Sequence, residues 1–100
     1  MKQAVLQVGM AQYAVGHAED MLRTLGLGSC VGICLHDPLL HIGGLVHIML
    51  PEMALYQDKA NEAKYADTGV RLLVREMERI GASSVRLRAK LAGGAQMFAF

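Results

Sequence analysis

The residues best suited to chemistry in this 100-residue chain are cysteines and histidines gathered in one segment. Cys30 and Cys34 lie close together, and His36, His41 and His47 follow soon after. A cysteine beside a histidine supplies a nucleophile with a base, because the thiolate attacks carbonyl carbon and the imidazole carries the proton. The same residue types also bind zinc. The segment is therefore suited either to covalent catalysis or to metal binding.

A zinc-binding module is the main alternative to an enzyme. Cys30 and Cys34 have C-x3-C spacing, which differs from the C-x2-C spacing of common zinc sites and of thioredoxin-type redox pairs. His36 is an even number of positions from both cysteines and would lie on the same face of an extended strand. His41 falls in a turn without fixed geometry. A disulfide is not expected either, because four extended residues span about 13 Å. The spacing favours reduced thiols, and we expect no metal or other cofactor.

Short apolar runs predict the strands that position these residues. Strands are predicted over residues 4–8, 13–15, 31–36, 42–50 and 85–91. The third and fourth form a hairpin closed by residues 37–41, because Asp37-Pro38 favours a turn. In the last strand, apolar residues alternate with Arg86, Arg88 and Lys90, which predicts one buried face and one basic, solvated face.

One amphipathic helix is predicted over residues 67–80. Its apolar side chains recur with the helical period at Val70, Leu73, Val74, Met77 and Ile80. We expect Asp67 to cap the start of the helix and Gly81 to take the left-handed conformation after its end.

Composition limits what the chain can bind. Lys and Arg total 10 against 9 for Asp and Glu, so no strongly basic surface for nucleic acid is expected. No apolar run approaches the roughly 20 residues of a membrane span, and the start of the chain does not look like a signal peptide. We therefore expect a cytoplasmic protein that forms a single domain over residues 1–100.

Four blocks of sequence, in order, resemble the CheD family. They are T-L-G-L-G-S-C-V-G-I-C-L-H-D-P, G-G-L-V-H-I-M-L-P, K-Y-A-D-T and A-K-L-A-G-G-A-Q-M-F. The resemblance implies an α/β fold, a layered sandwich of mixed β-sheets with the helix packed on one side. It also implies that the family's carboxy-terminal elements are absent from these 100 residues.

The resemblance implies a chemoreceptor glutamine deamidase in which Cys30 is the nucleophile, His47 the base and Thr24 the residue that orients the histidine. A carboxamide needs both an activated nucleophile and a proton donor for the departing ammonia, which a cysteine and a histidine supply. Gly28 and Ser29 are candidate substrate or oxyanion contacts, because glycine lets the backbone approach the substrate. Taken singly, a strand cysteine or histidine is more typical of a core, and we expect Cys34 to be a core residue.

The resemblance also implies partners. Chemoreceptor cytoplasmic domains would be the substrate, and the phosphatase CheC would bind the deamidase and be stimulated by it. A non-catalytic CheC-binding adaptor is a further alternative. Phe98 and Phe100, in a strand-like run over residues 97–100, are candidate partner contacts, since an exposed strand edge can pair with another chain.

Overall fold

The computed structural model describes residues 4–56 and 59–96. The strands are β1 (Val5–Val8), β2 (Tyr13–Gly16), β3 (Met21–Thr24), β4 (Val31–Asp37), β5 (Ile42–Ile48) and β6 (Arg88–Gly93), and the helix is α1 (Ala66–Arg79). Three short 3-10 turns, Met53–Leu55, Glu62–Lys64 and Ser84–Arg86, connect them. The strand-like run over residues 97–100 lies outside the described residues.

A four-stranded antiparallel sheet with the order β2-β5-β4-β6 forms the centre of the described chain. The predicted hairpin of β4 and β5 is confirmed, and its register places Gly32 opposite His47. The other two strands, β1 and β3, pair in parallel as a separate sheet. Strand β3 was not predicted from the sequence.

The helix and the two-stranded sheet cover opposite faces of the four-stranded sheet. A Cβ at Gly44 would meet Leu73 and Met77 of α1, whereas one at Gly43 would meet Leu22 of β3. Neighbouring strand residues point to opposite faces, so α1 and β3 lie on opposite sides of β5. The predicted layered α/β arrangement is confirmed, and it combines one antiparallel sheet with one parallel sheet.

The core lies between the four-stranded sheet and α1. Its buried members are Ile33, Leu35, Ile42, Val46, Ile48, Ala63, Leu73, Met77 and Ala82. Seven of them come from the helix-facing side of β4 and β5 and from the buried stripe of α1, as the 3.6-residue period predicts. Ala63 and Ala82 lie just before and just after α1.

The ends of α1 confirm one predicted cap and correct the other. Tyr65 is the N-cap, so Asp67 lies inside the first turn, where its Oδ1 accepts from the amides of Thr68 and Met53. The helix begins earlier than predicted because the carbonyl of Leu50 already accepts the amide of Ala66.

Gly81 follows the helix with φ of 115°, as predicted. Its amide donates to the carbonyl of Glu78, and the amide of Ala82 donates to that of Met77. These two hydrogen bonds form a Schellman motif, which satisfies carbonyls that the end of a helix leaves without partners.

The prediction for the last strand is wrong in its start and in its burial. Ser84–Arg86 is a 3-10 turn, Val85 is 90% exposed, and every residue of β6 is exposed. Strand β6 forms an edge of the described sheet, and α1 covers mainly β5 and β2. Arg86 is not simply solvated, because its guanidinium bonds the buried carboxylate of Asp37.

No helix in residues 4–56 and 59–96 combines the length and the apolar character needed to cross a membrane.

Candidate active site

His47 is buried in the middle of the fold. It lies near the end of β5, and its side chain has no exposed surface. Its amide donates to the carbonyl of Gln12, and its own carbonyl accepts the amide of Ala11. These bonds fix the histidine backbone against the turn between β1 and β2.

Thr24, at the end of β3, holds the imidazole ring from one side. Its Oγ1 lies 2.8 Å from Nδ1 of His47 and 2.6 Å from the carbonyl oxygen of Val8. The parallel pairing of β1 and β3 sets Val8 directly beside Thr24. The structure therefore brings together two of the residues predicted for the site and adds a backbone carbonyl that sequence reasoning missed.

These distances determine which ring nitrogen of neutral His47 carries the proton. The carbonyl of Val8 only accepts, so the single hydroxyl hydrogen of Thr24 is donated to it. Nδ1 must then be the donor to Thr24 Oγ1, which leaves Nε2 as the unprotonated nitrogen. Nε2 is buried and has no hydrogen-bond partner among residues 4–56 and 59–96. An imidazole in this state is prepared to accept a proton.

Cys30 lies in the turn that leads into β4 and is half-buried. Its amide donates to the carbonyl of Leu27 at 2.6 Å, and its carbonyl accepts the amide of Gly94. Gly93 is required beside it, because a Cβ there would overlap the carbonyl oxygen of Cys30. Sequence reasoning missed this requirement, although the Gly93-Gly94 pair was its signal.

The register of the hairpin places Cys30 close in sequence to the partner of His47. Gly32, two residues after Cys30, is the cross-strand partner of His47. Cys30 itself lies in the turn before β4, next to Ser29, which lines an apolar groove on the helix side together with Val31 and Ile33.

The cysteine–histidine hypothesis requires Cys30 and His47 to be in contact in an accessible cleft, and the described residues show neither the contact nor the access. No hydrogen bond joins the thiol of Cys30 to His47 within the described residues. The imidazole is also closed off from solvent, since Thr24 lies against its ring. The side chain of Leu27 covers the neighbouring position, Gly32.

The turn before Cys30 contains backbone that favours glycine. Gly26 and Gly28 have φ of 66° and 48°. Within the part of the chain that the structure describes, the amides of Gly28 and Ser29 make no hydrogen bond. Ser29 lines the apolar groove of about 370 Å³ on the helix side.

The prediction that Cys34 is a core residue is wrong. Cys34 is exposed, because the two-stranded sheet covers β5 and β2 and leaves its side of β4 open.

No three Cys, His, Asp or Glu side chains in residues 4–56 and 59–96 are grouped as metal ligands. His47 is buried, Cys34 and His36 are exposed, and His41 lies in the hairpin turn. The zinc alternative therefore lacks a ligand set there. Phe98 and Phe100 lie outside the described residues.

Comparison with known proteins gives the family. The family model described as "CheD chemotactic sensory transduction" matches residues 49–100. The chain belongs to the CheD family, as its sequence motifs indicated.

Curated relatives match nearly the whole chain. A protein of Syntrophomonas wolfei is 55% identical over 96 residues, covering 96% of this chain and 60% of the relative. One of Pyrococcus abyssi is 55% identical over 93 residues, covering 93% and 57%. One of Desulfitobacterium hafniense is 57% identical over 96 residues, covering 96% and 59%. Each is named "Probable chemoreceptor glutamine deamidase CheD". The chain thus spans about three fifths of the length of these relatives.

Proposed function

We propose that this chain carries the reacting residues of a protein-glutamine deamidase that acts on chemoreceptors in the cytoplasm. The observation that carries the proposal is the hydrogen bond from His47 Nδ1 to Thr24, which leaves Nε2 as a free base. The names of the relatives support the same activity and the same substrate.

The proposed reaction begins with proton transfer from the thiol of Cys30 to Nε2 of His47. The thiolate attacks the side-chain carbonyl carbon of glutamine and forms a tetrahedral intermediate. The imidazolium then protonates the amide nitrogen, the C–N bond breaks, and ammonia leaves a thioester on Cys30. Water adds to the thioester with His47 as base, which releases glutamate and restores the thiol.

This scheme requires Nε2 and the sulfur to come into contact when the substrate binds. Cys30 is two residues from Gly32, the cross-strand partner of His47, and catalytic hydrogen bonds are often long before the substrate is bound. The absence of a thiol–imidazole bond in the structure is therefore compatible with the reaction.

The amides of Gly28 and Ser29 are the proposed oxyanion donors. They are the unbonded amides nearest in sequence to Cys30, and the positive φ of Gly28 turns the backbone there. The amide of Cys30 itself is engaged by Leu27 and is not available. Donors held ready for a developing negative charge are typically worth about 10²–10³ in kcat.

The test uses purified protein and a cytoplasmic chemoreceptor fragment, with ammonia release and glutamine-to-glutamate conversion measured by mass spectrometry. Wild type and Cys34→Ala should convert glutamine, since the family resemblance makes Cys30, and not Cys34, the nucleophile. Cys30→Ala should be inactive, and His47→Ala should lose about 10²–10⁴-fold in rate. Equal activity of Cys30→Ala and wild type would rule out the thioester route.

We also infer from family membership that the chain binds the phosphatase CheC and stimulates it. The same variants separate this role from catalysis, because Cys30→Ala removes only the nucleophile. A deamidase that also binds CheC should lose receptor modification in this variant and keep CheC binding. If the protein is instead a non-catalytic adaptor, the wild-type protein should also leave receptor glutamines unmodified.

A further inference from the structure

Four side chains form an exposed basic cluster on the sheet face that carries His47. Cys34 and His36 of β4 face Lys90 and Arg88 of β6, and the register makes Cys34–Lys90 and His36–Arg88 direct cross-strand pairs. Direct partners in an antiparallel pair have Cβ atoms about 4.5–5.5 Å apart. The four side chains therefore project together from one small patch, the basic cluster.

The basic cluster lines an open cavity of about 510 Å³, to which Ala89 also contributes. None of the residues lining it is acidic. Within residues 4–56 and 59–96, Arg88 and Lys90 have no ion-pair partner, whereas the nearby Arg86 is bound to Asp37. The charges of the cluster are therefore available to an anionic ligand.

The position of the cluster relates it to the candidate active site. Cys30 immediately precedes β4 and Cys34 lies within it, so about 13 Å of chain at most separates the two residues. A polypeptide with its glutamine at Cys30 spans this distance in four residues if extended. If helical, it rises about 12 Å over eight residues, which return close to the same helix face.

We propose that the basic cluster binds an acidic side chain of the glutamine-bearing substrate and so selects which glutamines are modified. This inference rests on the proposed function and deepens it. The positive charge of the cluster complements a carboxylate, and its distance from Cys30 fits one substrate segment. A chain with a net charge of +1 offers no extended basic surface that would suit a nucleic acid instead.

The test compares two sets of peptides, each with one glutamine. In the first set the peptide carries a glutamate either before or after the glutamine. The spacing is four residues in an extended peptide and eight residues in a helical one. In the second set alanine replaces that glutamate. Wild type should show a higher kcat/KM for the acidic peptide in at least one geometry. The gain should be about two- to fivefold for each charged pair, which is the range of exposed ion pairs.

Charge-removing variants locate the effect. Arg88→Gln and Lys90→Gln should each reduce the preference for the acidic peptide and leave kcat/KM for the alanine peptide unchanged. Arg71→Gln is the matched control, because it removes an equal charge from the exposed side of α1. The preference should also shrink in 1 M salt, where the screening length is about 3 Å.

Binding measured without catalysis separates this inference from the proposed function. Fluorescence anisotropy with Cys30→Ala protein should show tighter binding of the acidic peptide even if turnover is never detected. Failure of the proposed function would appear as wild type that converts neither peptide. Equal binding and equal turnover of the two peptides would overturn the inference, and so would an equal loss of preference in Arg71→Gln.

Discussion

Thr24 has a single hydroxyl hydrogen, and its use determines how His47 can act. The hydrogen is donated to the carbonyl of Val8, so the oxygen can only accept from Nδ1 of His47. The ring is thereby oriented and its proton is held on the side away from the free Nε2. In the proposed reaction Thr24 is a positioning residue, since it would act on the substrate only through the histidine.

Thr24→Ser should keep the activity near that of wild type, because serine retains the hydroxyl that links His47 to Val8. Thr24→Val keeps the shape and removes the oxygen, so kcat should fall about a hundredfold, which is typical of a misoriented catalytic group. Deamidation kinetics on a receptor fragment measure both. Equal kcat for the two variants would contradict the positioning role.

The tautomer itself is measurable in Cys30→Ala protein. At a pH where His47 is neutral, its ¹⁵N chemical shifts should show Nδ1 protonated and Nε2 unprotonated. Thr24→Val should lose this preference, because Nδ1 then has no acceptor. A neutral ring protonated on Nε2 in the wild-type background would contradict the derivation from the hydroxyl hydrogen.

Sequence reasoning named the side chains of the candidate site but not its backbone partner. Cys30, His47 and Thr24 stand in motifs of the family, so the amino-acid sequence alone was enough to propose them. The carbonyl of Val8 carries no sequence signature, because every residue has one. Its role depends on the parallel pairing of β1 with β3, which alternation within either short strand does not reveal.

At the scale of elements, the turn before β4 and the end of β6 must fit closely. The carbonyl of Cys30 accepts the amide of Gly94, and the carbonyl of Gly28 accepts that of Ala95. Gly93 lies against Cys30 without space for a Cβ. The conformation of the turn that carries the thiol therefore depends on β6, although the two are far apart in sequence.

Gly93→Ala should disturb this turn, and Gly94→Ala is its matched control. Both glycines have positive φ, at 89° and 76°, so alanine is strained at either position. Only at Gly93 would the new Cβ overlap a backbone atom, the carbonyl oxygen of Cys30, whereas at Gly94 it would meet Val31 Cγ2 at 3.4 Å. We expect Gly93→Ala to unfold about 1–3 kcal/mol more easily than Gly94→Ala.

Chemical denaturation measures this difference, and iodoacetamide labelling in Cys34→Ala protein reports the exposure of Cys30. The labelling rate of Cys30 should change in Gly93→Ala and stay near the parent value in Gly94→Ala. Equal stability and equal labelling would mean that β6 does not control the turn.

The elements that sequence reasoning found are those whose patterns are local. The β4–β5 hairpin has a proline turn between two long apolar runs, and α1 has an apolar stripe ended by Gly81. Strand β3 is four residues long and includes exposed Met21 and Arg23, so its composition gives little signal. Strand β6 alternates as a half-buried strand does, but the helix does not extend over it.

At the scale of the whole molecule, an ion pair between a buried carboxylate and a partly exposed guanidinium joins the hairpin to the segment after α1. Asp37 has no exposed surface, and its oxygens accept from Arg86 Nη2 at 2.8 Å, from Arg86 Nε and from the amide of Ser83. The amides of Leu39 and Leu40 in the hairpin turn bond the same carboxylate. From the sequence, Asp37 was predicted only to be a turn residue, because Arg86, the residue it pairs with, is 49 positions away.

These contacts hold the pKa of Asp37 well below its ordinary value. The hydrogen bonds from Arg86 are the main cause, burial opposes them, and the backbone amides of Ser83, Leu40 and Leu39 add to the lowering. The folded protein therefore favours the ionised carboxylate more than the unfolded chain does. The resulting stability is fully present above the unfolded pKa of about 3.9 and is lost as the pH falls through the lower folded value.

Asp37→Asn should lower the free energy of unfolding at neutral pH, because a neutral amide bonds Arg86 less strongly than a carboxylate does. Its NH₂ group would also face the N–H groups of Arg86 and of the backbone, which are donors and cannot accept its hydrogens. Its stability should also fall less steeply below about pH 4 than that of wild type, since the titrating group is gone. Glu78→Gln removes one negative charge from the exposed side of α1 and is the control. It should leave the loss of stability below about pH 4 the same as in wild type. Urea denaturation from pH 7 down to pH 2 measures all three proteins. An unchanged acid dependence in Asp37→Asn would show that other carboxylates control the acid stability. The ion pair would then join the hairpin to the segment after α1 without making the fold sensitive to acid.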